Sequence, residues 1–206
     1  MKKKILVSCV DAGGANIIYH WIKRRNDNFF FYLKGPAKKI FNKKNIKKTD
    51  LLKIKFDEII TGTSTYNQLE KFVRKIAIER KIYSTTFLDH YVNYKRRFAY
   101  KKKFIFPNQI NTFDKYSTYL AKKTFKNLKI KQQTNYFEKD ILKKINKKKI
   151  NKKKLNILFI SEIFLNNKKK MNKMINDKFN QLFKNFDERG IKYNLKYRRH
   201  PSQKLL

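Results

Sequence analysis

The segment that most constrains the fold is residues 4–10, "KILVSCV", which is apolar almost without interruption. A strand with this pattern is buried on both faces, and such strands belong to parallel sheets that are covered by helices. The turn "DAGGAN" follows, and then an apolar segment of helix length, residues 15–25. This order of strand, glycine turn and helix predicts the start of an α/β unit.

The same pattern recurs along the chain. Five further segments have the composition of strands, and they cover residues 28–35, 57–61, 82–90, 106–112 and 128–137. Helical segments separate most of them, and the one after residue 65 carries Leu69, Phe72, Val73 and Ile76 on one face, with Ser64 or Thr65 as its expected cap. One or two short helices are expected within residues 37–55. We therefore predict an α/β fold with a doubly wound parallel sheet of Rossmann-like type.

A lysine-rich segment, residues 147–154, divides the chain. We predict a first Rossmann-like domain over residues 1–146, a basic linker over 147–154, and the start of a second such domain over 155–206. The last part shows a strand, a polar helix closed by Gly190, and another strand, which is a single βαβ unit. Because one βαβ unit buries too little apolar surface to cover its own sheet, we expect it to pack on the first domain or to belong to a longer protein.

The net charge of +38 raises the question of nucleic-acid binding. Only nine of the 53 basic residues are Arg, whereas phosphate-binding proteins gain most from the planar, bidentate guanidinium group. Lys, Asn, Ile and Phe are abundant together and all have AT-rich codons, so mutational bias explains much of the charge. We expect no nucleic-acid partner, and a non-enzymatic nucleic-acid-binding protein stays as an alternative.

The single cysteine, Cys9, lies in an apolar strand, which predicts a buried thiol and a reducing compartment. The apolar run after the first lysines is too short for a signal peptide, and no segment approaches the length of a membrane span. We expect a cytoplasmic protein. A peripheral contact of its basic surface with an anionic membrane is a further expectation.

Polar loops follow several of the predicted strands, and ligands of parallel α/β sheets bind beyond the carboxyl ends of the strands. Asp89 and His90 come directly after one strand, so they are candidate catalytic residues, as a general base or as a polar pair that binds a sugar. The aromatic residues that follow them, Tyr91, Tyr94 and Phe98, have the spacing of the packing face of a helix.

Two other loops contain candidate substrate-binding residues. Gly13, Gly14 and Asn16 lie in the first glycine turn, where glycine allows a ligand to approach the backbone closely. Thr63 and Ser64 lie in the hydroxyl-rich loop "TGTST". Each pattern is also that of an ordinary turn or helix cap. The three histidines are far apart and have no cysteine set, so we expect no metal site. We also expect no cofactor.

A fourth polar loop, "YRRHPSQ", ends the last predicted strand and contains Arg199, His200 and Ser202. Guanidinium and imidazole groups suit a phosphate or a diphosphate. The ordinary alternative is a strand that runs into a polar turn.

Together, "TGTSTYNQLEK", "LDHYVNYKRRF", "FPNQINTFDKYSTYLAKKTF" and "LKIKQQTNYF" resemble the N-terminal half of bacterial GT-B-type glycosyltransferases of surface-polysaccharide biosynthesis. Asn108 stands where such proteins usually have an aspartate. "RRHPSQ" resembles the His-Pro element of bacterial sialyltransferases and polyol-phosphate transferases, which implies that His200, Pro201 and Ser202 lie at the donor phosphate. The preceding Arg199 would stabilise the charge on that phosphate. The resemblance also implies that the second domain is truncated in this chain.

The resemblance implies a glycosyltransferase-like protein of cell-surface polysaccharide or glycolipid biosynthesis. Its partners would be a nucleotide sugar, as substrate, and a saccharide or lipid-linked acceptor whose hydroxyl is deprotonated by Asp89 or His90. A nucleotide-sugar epimerase would have the same architecture, because a fold does not determine a function. The hypothesis of an epimerase therefore remains an alternative to the hypothesis of a transferase.

Overall fold

The computed structural model describes residues 1–145, 154–160 and 168–198. The chain divides into two compact units, residues 1–145 (unit 1) and 146–206 (unit 2). The predicted linker, 147–154, lies outside the described residues except for Lys154.

Unit 1 alternates strands and helices. Its strands are β1 (Lys4–Cys9), β2 (Asn28–Leu33), β3 (Glu58–Thr61), β4 (Tyr83–Phe87), β5 (Ala99–Tyr100), β6 (Lys103–Phe104), β7 (Gln109–Thr112) and β8 (Lys129–Gln132). Its helices are α1 (Ala12–Ile22), α2 (Pro36–Phe41), α3 (Asp50–Lys53), α4 (Leu69–Glu79), α5 (Lys115–Thr124) and α6 (Tyr136–Lys144).

Six strands of unit 1 form one sheet in the order β2-β1-β3-β4-β7-β8, and every pair in it is parallel. The chain leaves β1 towards β2 on one side and then crosses to β3 on the other. The predicted doubly wound, Rossmann-like fold is therefore confirmed. The strand order reverses between β1 and β3, and this reversal decides where a ligand crevice opens.

Both faces of the central strands are covered. On one face, alternate β1 residues such as Ile5 and Val7 pack with Ile18 of α1 and Phe41 of α2. On the other face, Leu6 packs with buried residues of α3 and α4. A third cluster joins β7 to α5 and the segment before β5. This two-sided burial is the physical reason that β1 shows no polar alternation.

The structure corrects three local predictions. Helix α1 begins at Ala12, so Gly13 and Gly14 lie in its first turn and not in a preceding turn. Helix α4 begins at Leu69 with Gln68 at its N-cap position, so neither Ser64 nor Thr65 caps it. In both cases the loop after the strand has a different length from the one that the sequence predicted.

The third correction concerns the segment after His90, which is not a regular helix. Asn93 has a left-handed backbone (φ 59°), and only a short 3-10 helix, Lys95–Phe98, follows before the antiparallel pair of β5 and β6. Tyr94 and Phe98 are buried as expected, whereas Tyr91 is exposed. The aromatic spacing thus predicted two packing residues correctly and the backbone wrongly.

The described part of unit 2 is one βαβ unit. It contains β9 (Leu155–Ile160), α7 (Lys168–Glu188) and β10 (Tyr193–Arg198), and the two strands are parallel. The chain after α7 turns at Gly190, which has a left-handed backbone (φ 63°), in accordance with the prediction. Phe159 of β9 contacts Phe179 of α7, so one face of the strand pair packs on the helix.

Among the described helices, none combines the length and the apolar composition that crossing a bilayer requires.

Candidate functional site at the carboxyl ends of the strands

The ligand crevice of a doubly wound sheet lies beyond the carboxyl ends of the strands, at the point where the strand order reverses. In this protein that point lies between β1 and β3. The loops that border it are residues 10–11 before α1 and residues 62–68 before α4. The loop after β4, which contains Asp89, lies next to them because β4 pairs with β3.

Asp89 is held in a defined position at this edge. Its side chain is 5% exposed, and its Oδ1 atom accepts a hydrogen bond from the Thr63 hydroxyl at 3.1 Å. The same hydroxyl lies 3.3 Å from the Phe87 carbonyl oxygen. Two predicted site residues, Asp89 and Thr63, are thus brought together by the pairing of β3 and β4.

The other carboxylate oxygen of Asp89 lies against the first turn of α1. A Cβ atom added to Gly13 would lie 2.5 Å from Asp89 Oδ2, far inside van der Waals contact. At Gly14 the corresponding distances are 3.5 Å to Cys9 Sγ and 3.7 Å to Asp89 Oδ2, which are ordinary contacts. Gly13 therefore allows the close approach of a carboxylate of the protein itself to the helix, whereas the sequence analysis predicted the close approach of a ligand.

His90 lies beside Asp89 but is much more accessible. Its side chain is 49% exposed, and its Nε2 atom lies 3.8 Å from Asp89 Oδ2. This distance is too long for a hydrogen bond but allows an ion pair when the imidazole is protonated. Of the two predicted catalytic residues, Asp89 is the one that the protein positions, and His90 faces solvent next to it.

A buried carboxylate, Glu70, joins the two loops at the reversal point. Its Oε1 atom accepts a hydrogen bond from the backbone N–H of Val10 at 3.0 Å, and its Oε2 atom accepts one from the backbone N–H of Ser64. Burial raises the pKa of Glu70 to about 7, against the opposing effects of the Arg74 charge and the backbone hydrogen bonds. Glu70 therefore sets the spacing between the loops after β1 and β3.

Gly62 makes this arrangement possible. A Cβ atom at Gly62 would lie 2.7 Å from Glu70 Oε1 and 2.9 Å from Cys9 Sγ. Burial raises the pKa of the Cys9 thiol well above its ordinary value, and the nearby Glu70 charge adds to the effect. Cys9 is therefore a packing residue with an uncharged thiol, as its apolar strand predicted.

Two buried arginines hold the backbone around the site. Arg74 donates from Nη1 to the Thr61 hydroxyl and to the Gly62 carbonyl, and from Nη2 to the Arg97 carbonyl at 3.1 Å. Burial lowers the pKa of Arg74 to about 10. Arg97 donates in turn to the Thr63 carbonyl at 2.7 Å. The loops that carry the candidate site are thus connected by charged side chains inside the protein.

Asp89 and His90 line a pocket of about 260 Å³ at the ends of β4 and β7 and the start of α6. The pocket brings in two carboxylates that the sequence did not single out, Asp114 and Glu138. Its remaining lining residues are Ile17, Leu88, Tyr91, Phe113, Ser117 and Asn135.

Sequence reasoning missed Glu70, Arg74, Arg97, Asp114 and Glu138. A signal existed for Glu70 and Arg74, because they lie four residues apart next to the apolar face of α4 and so on its buried side. Asp114 has the position of a helix N-cap, and that role is real, since it accepts a hydrogen bond from Ser117 N at 2.7 Å. Nothing local marks Glu138.

The remaining predicted site residues lie in different parts of the chain. Asn16 lies half-buried in α1, and Ser64 is buried and contributes its backbone N–H to Glu70. Arg199, His200 and Ser202 lie outside the described residues, so their predicted role in phosphate binding stays a prediction. Across residues 1–145, 154–160 and 168–198, no group of His, Cys, Asp and Glu side chains has the arrangement of a metal site.

Comparison with known proteins supports the assignment of the fold. No protein-family model matches the sequence, and no curated protein matches it. The chain is similar in structure to S. aureus MnaA in a co-structure with UDP, with a TM-score of 0.61 and 13% sequence identity over 97% of this chain and 63% of that chain. The chain thus spans 63% of the length of MnaA. At this identity the likeness establishes one conclusion, which is that the protein has a Rossmann-like α/β fold.

Proposed function

We propose that the protein acts on a nucleotide sugar and transfers the sugar to a saccharide or lipid-linked acceptor, in the biosynthesis of a surface polysaccharide or glycolipid. The nucleotide sugar is a substrate, and no cofactor is required.

The observation that carries the proposal is the position of Asp89. The carboxylate is almost fully buried, anchored by Thr63, and faces a pocket at the carboxyl edge of the sheet. Glycosyl transfer requires a base that takes the proton of the acceptor hydroxyl as it attacks. Asp89 has the oxygen atom and the fixed orientation for this role, and His90 beside it can pass the proton to solvent.

The donor side is supported by the fold and by the resemblance in the sequence. MnaA, which has a similar fold, binds UDP in its co-structure. In our proposal Gly13, Gly14 and Asn16 of α1, with Thr63 and Ser64, border the substrate crevice. Arg199, His200 and Ser202 bind the donor phosphate, because guanidinium groups stabilise the charge that develops on a leaving diphosphate.

A second function, epimerisation of a nucleotide sugar, is favoured by one specific observation. Three carboxylates, Asp89, Asp114 and Glu138, surround a single pocket. Inverting a carbon centre requires one group that removes a proton and another that returns one from the opposite side. Several carboxylates around one pocket suit that chemistry as well as they suit glycosyl transfer.

The deciding experiment incubates the chain with UDP-, GDP- and CMP-sugars, with and without saccharide acceptors, and follows the products by NMR and mass spectrometry. Transfer produces free nucleotide and a new glycoside only when an acceptor is present. Epimerisation produces a sugar with altered configuration without any acceptor. Failure of every nucleotide and nucleotide sugar to bind the protein would reject both functions.

The matched variant is Asp89→Asn, which keeps the volume of the side chain and an acceptor for the Thr63 hydroxyl. If Asp89 is the base, the rate falls by about 10²–10⁴-fold while nucleotide-sugar affinity changes little. An equal loss of affinity and rate would instead make Asp89 a binding residue.

The glycine at the Asp89 contact offers an independent test. Gly13→Ala places a Cβ atom 2.5 Å from Asp89 Oδ2, so the carboxylate must move and activity falls with it. Gly14→Ala makes only ordinary contacts and is the control for the loss of a helix glycine. Equal activities of the two variants would show that the position of Asp89 does not matter.

A further inference from the structure

The pocket beside Asp89 has the opposite charge to the rest of the protein. The chain contains 53 basic and 15 acidic residues. The residues that line the pocket nevertheless include three carboxylates and a single imidazole, with no lysine or arginine among them. A ligand in this pocket therefore meets negative groups, although the protein surface as a whole attracts anions.

Asp114 keeps its negative charge through its hydrogen bonds. Burial by itself would raise its pKa, but hydrogen bonds from the Ser117 backbone and hydroxyl and from the Tyr91 hydroxyl outweigh burial and lower the pKa below its usual value. The Tyr91 hydroxyl lies 3.1 Å from Asp114 Oδ2. Glu138 is exposed in the first turn of α6, on another side of the pocket.

The two carboxylate oxygens of Asp89 have different surroundings. Its side chain is more than nine-tenths buried, and its Oδ1 atom is satisfied by Thr63. Its Oδ2 atom receives no hydrogen bond from any described residue, and its nearest cationic neighbour is His90 Nε2 at 3.8 Å. Because Asp89 lines the pocket, this oxygen atom is open to a hydrogen bond from a ligand donor, such as a hydroxyl or amino group.

The residues that form the walls of the pocket, and its volume, indicate what kind of ligand fits. Ile17, Leu88 and Phe113 provide apolar surface, and the largely exposed Tyr91 ring lies against Tyr116 with 5.8 Å between the ring centroids. The volume of about 260 Å³ is below the range of about 300–1,000 Å³ that suits drug-sized ligands. Apolar walls, exposed aromatic surface and fixed acceptors suit one sugar ring, with its C–H faces and hydroxyl groups.

We propose that this pocket binds the pyranose ring of a saccharide that carries no negative charge, and that Asp89, Asp114 and Glu138 exclude uronic acids, sialic acids and sugar phosphates. The inference rests on the proposed function, because it names the class of saccharide that the same site accepts.

The test measures binding of three monosaccharides that share one ring and differ in charge. D-glucose, D-glucosamine and D-glucuronate are titrated into the full chain at pH 7 and constant ionic strength, with ligand-observed NMR as the readout. D-glucose and D-glucosamine bind, and D-glucuronate binds about fivefold or more weakly because of repulsion by the carboxylates. The difference in affinity between D-glucose and D-glucuronate becomes smaller at high salt, because salt screens the repulsion between D-glucuronate and the carboxylates.

A double variant, Asp114→Asn with Glu138→Gln, removes two charges while Asn keeps the cap of α5. It reduces the discrimination against D-glucuronate to about twofold or less. The control is Glu79→Gln, which removes an exposed carboxylate of α4 outside the pocket and leaves the discrimination unchanged. Asp89→Asn weakens binding of D-glucose itself, because the amide keeps the oxygen that accepts from Thr63 and replaces the other carboxylate oxygen, Oδ2, by an NH2 donor.

Each result has one meaning. D-glucuronate that binds as tightly as D-glucose, or the absence of binding by all three sugars, overturns the assignment of the pocket. Nucleotide sugars that bind while the monosaccharides show no discrimination leave the proposed function intact and reject only this inference. Monosaccharides that bind in the expected order, with no nucleotide or nucleotide sugar bound, reject the proposed function and leave the pocket assignment standing.

Discussion

β1 of unit 1 and β9 of unit 2 are similarly rich in apolar residues but have very different surroundings. β1 and β3 are buried on both faces, whereas Leu158 and Ile160 of β9 are exposed in the described part of unit 2. The packing of α7 covers only the face of β9 that carries Phe159. A continuous apolar segment thus indicates a strand suited to a buried parallel sheet, while its actual burial depends on how many neighbouring units are present.

The units also differ in their buried charges. Unit 1 encloses Glu70, Arg74 and Arg97, and each bonds to the backbone of a loop at the site. The ion pair found in the described part of unit 2, between Lys184 and Glu188, lies on an exposed helix surface. Substitutions should therefore have large effects in the interior of unit 1 and small ones on the surface of unit 2.

The largest effect is expected for Arg74→Met. The change removes donors to the Thr61 hydroxyl and to the Gly62 and Arg97 carbonyls, and it removes the positive charge that opposes the effect of burial on Glu70. We expect the free energy of unfolding to fall by about 3–5 kcal/mol, which urea unfolding followed by circular dichroism would measure.

Lys75→Met is the control for this change. Lys75 lies next to Arg74 on α4 but forms an exposed pair with Glu79, so its loss leaves the free energy of unfolding almost unchanged. A similar cost for both variants would contradict the view that Arg74 organises the loops.

A matched pair of isoleucines compares the two units directly. Ile60 of β3 is 0% exposed and Ile160 of β9 is 54% exposed. Ile60→Thr buries an unpaired hydroxyl and removes apolar contacts, which costs about 2–4 kcal/mol. Ile160→Thr changes stability by about 0.5 kcal/mol or less. A large cost at Ile160, measured by the same urea unfolding, would show that this face of β9 is covered in solution.

A smaller effect, visible only through its pH dependence, is expected for Glu70→Gln. Folding raises the pKa of Glu70 from 4.5 to about 7, so the protonated form favours the folded state. This contribution is complete below about pH 4.5 and is lost as the pH rises through 7. The unfolding free energy of the wild type should thus fall, relative to that of the variant, by roughly 2 kcal/mol between pH 5 and pH 8. Parallel pH profiles would show that Glu70 has the same pKa in both states.

Much of the fold was predictable because it depends on local patterns. The strand predicted over residues 4–10 is β1, which ends at Cys9, and it was located because strands buried on both faces are continuously apolar. The start of α1 was not predictable. Glycine at positions 13 and 14 indicates a turn by its low helix propensity, and only the approach of Asp89 shows why a residue without Cβ is needed inside the helix.

The candidate site was predictable in part. Asp89 and Thr63 were identified because polar residues directly after strands lie at the edge where ligands bind. Asp114 and Glu138 were not, because one has the position of an ordinary helix cap and the other belongs to the polar start of α6. Their common pocket exists because β7 and β8 are placed beyond β4 in the sheet.

The sequence by itself determined the alternation of strands and helices, the burial of β1, and the presence of polar loops at the strand ends. These properties depend on periodicity and composition within a few residues. The tertiary structure decided which loops meet, which carboxylates are buried, and that a strongly basic protein contains an acidic pocket. The physical reason is that proximity across a sheet follows from the order β2-β1-β3-β4-β7-β8, and that order depends on contacts between residues far apart in the chain.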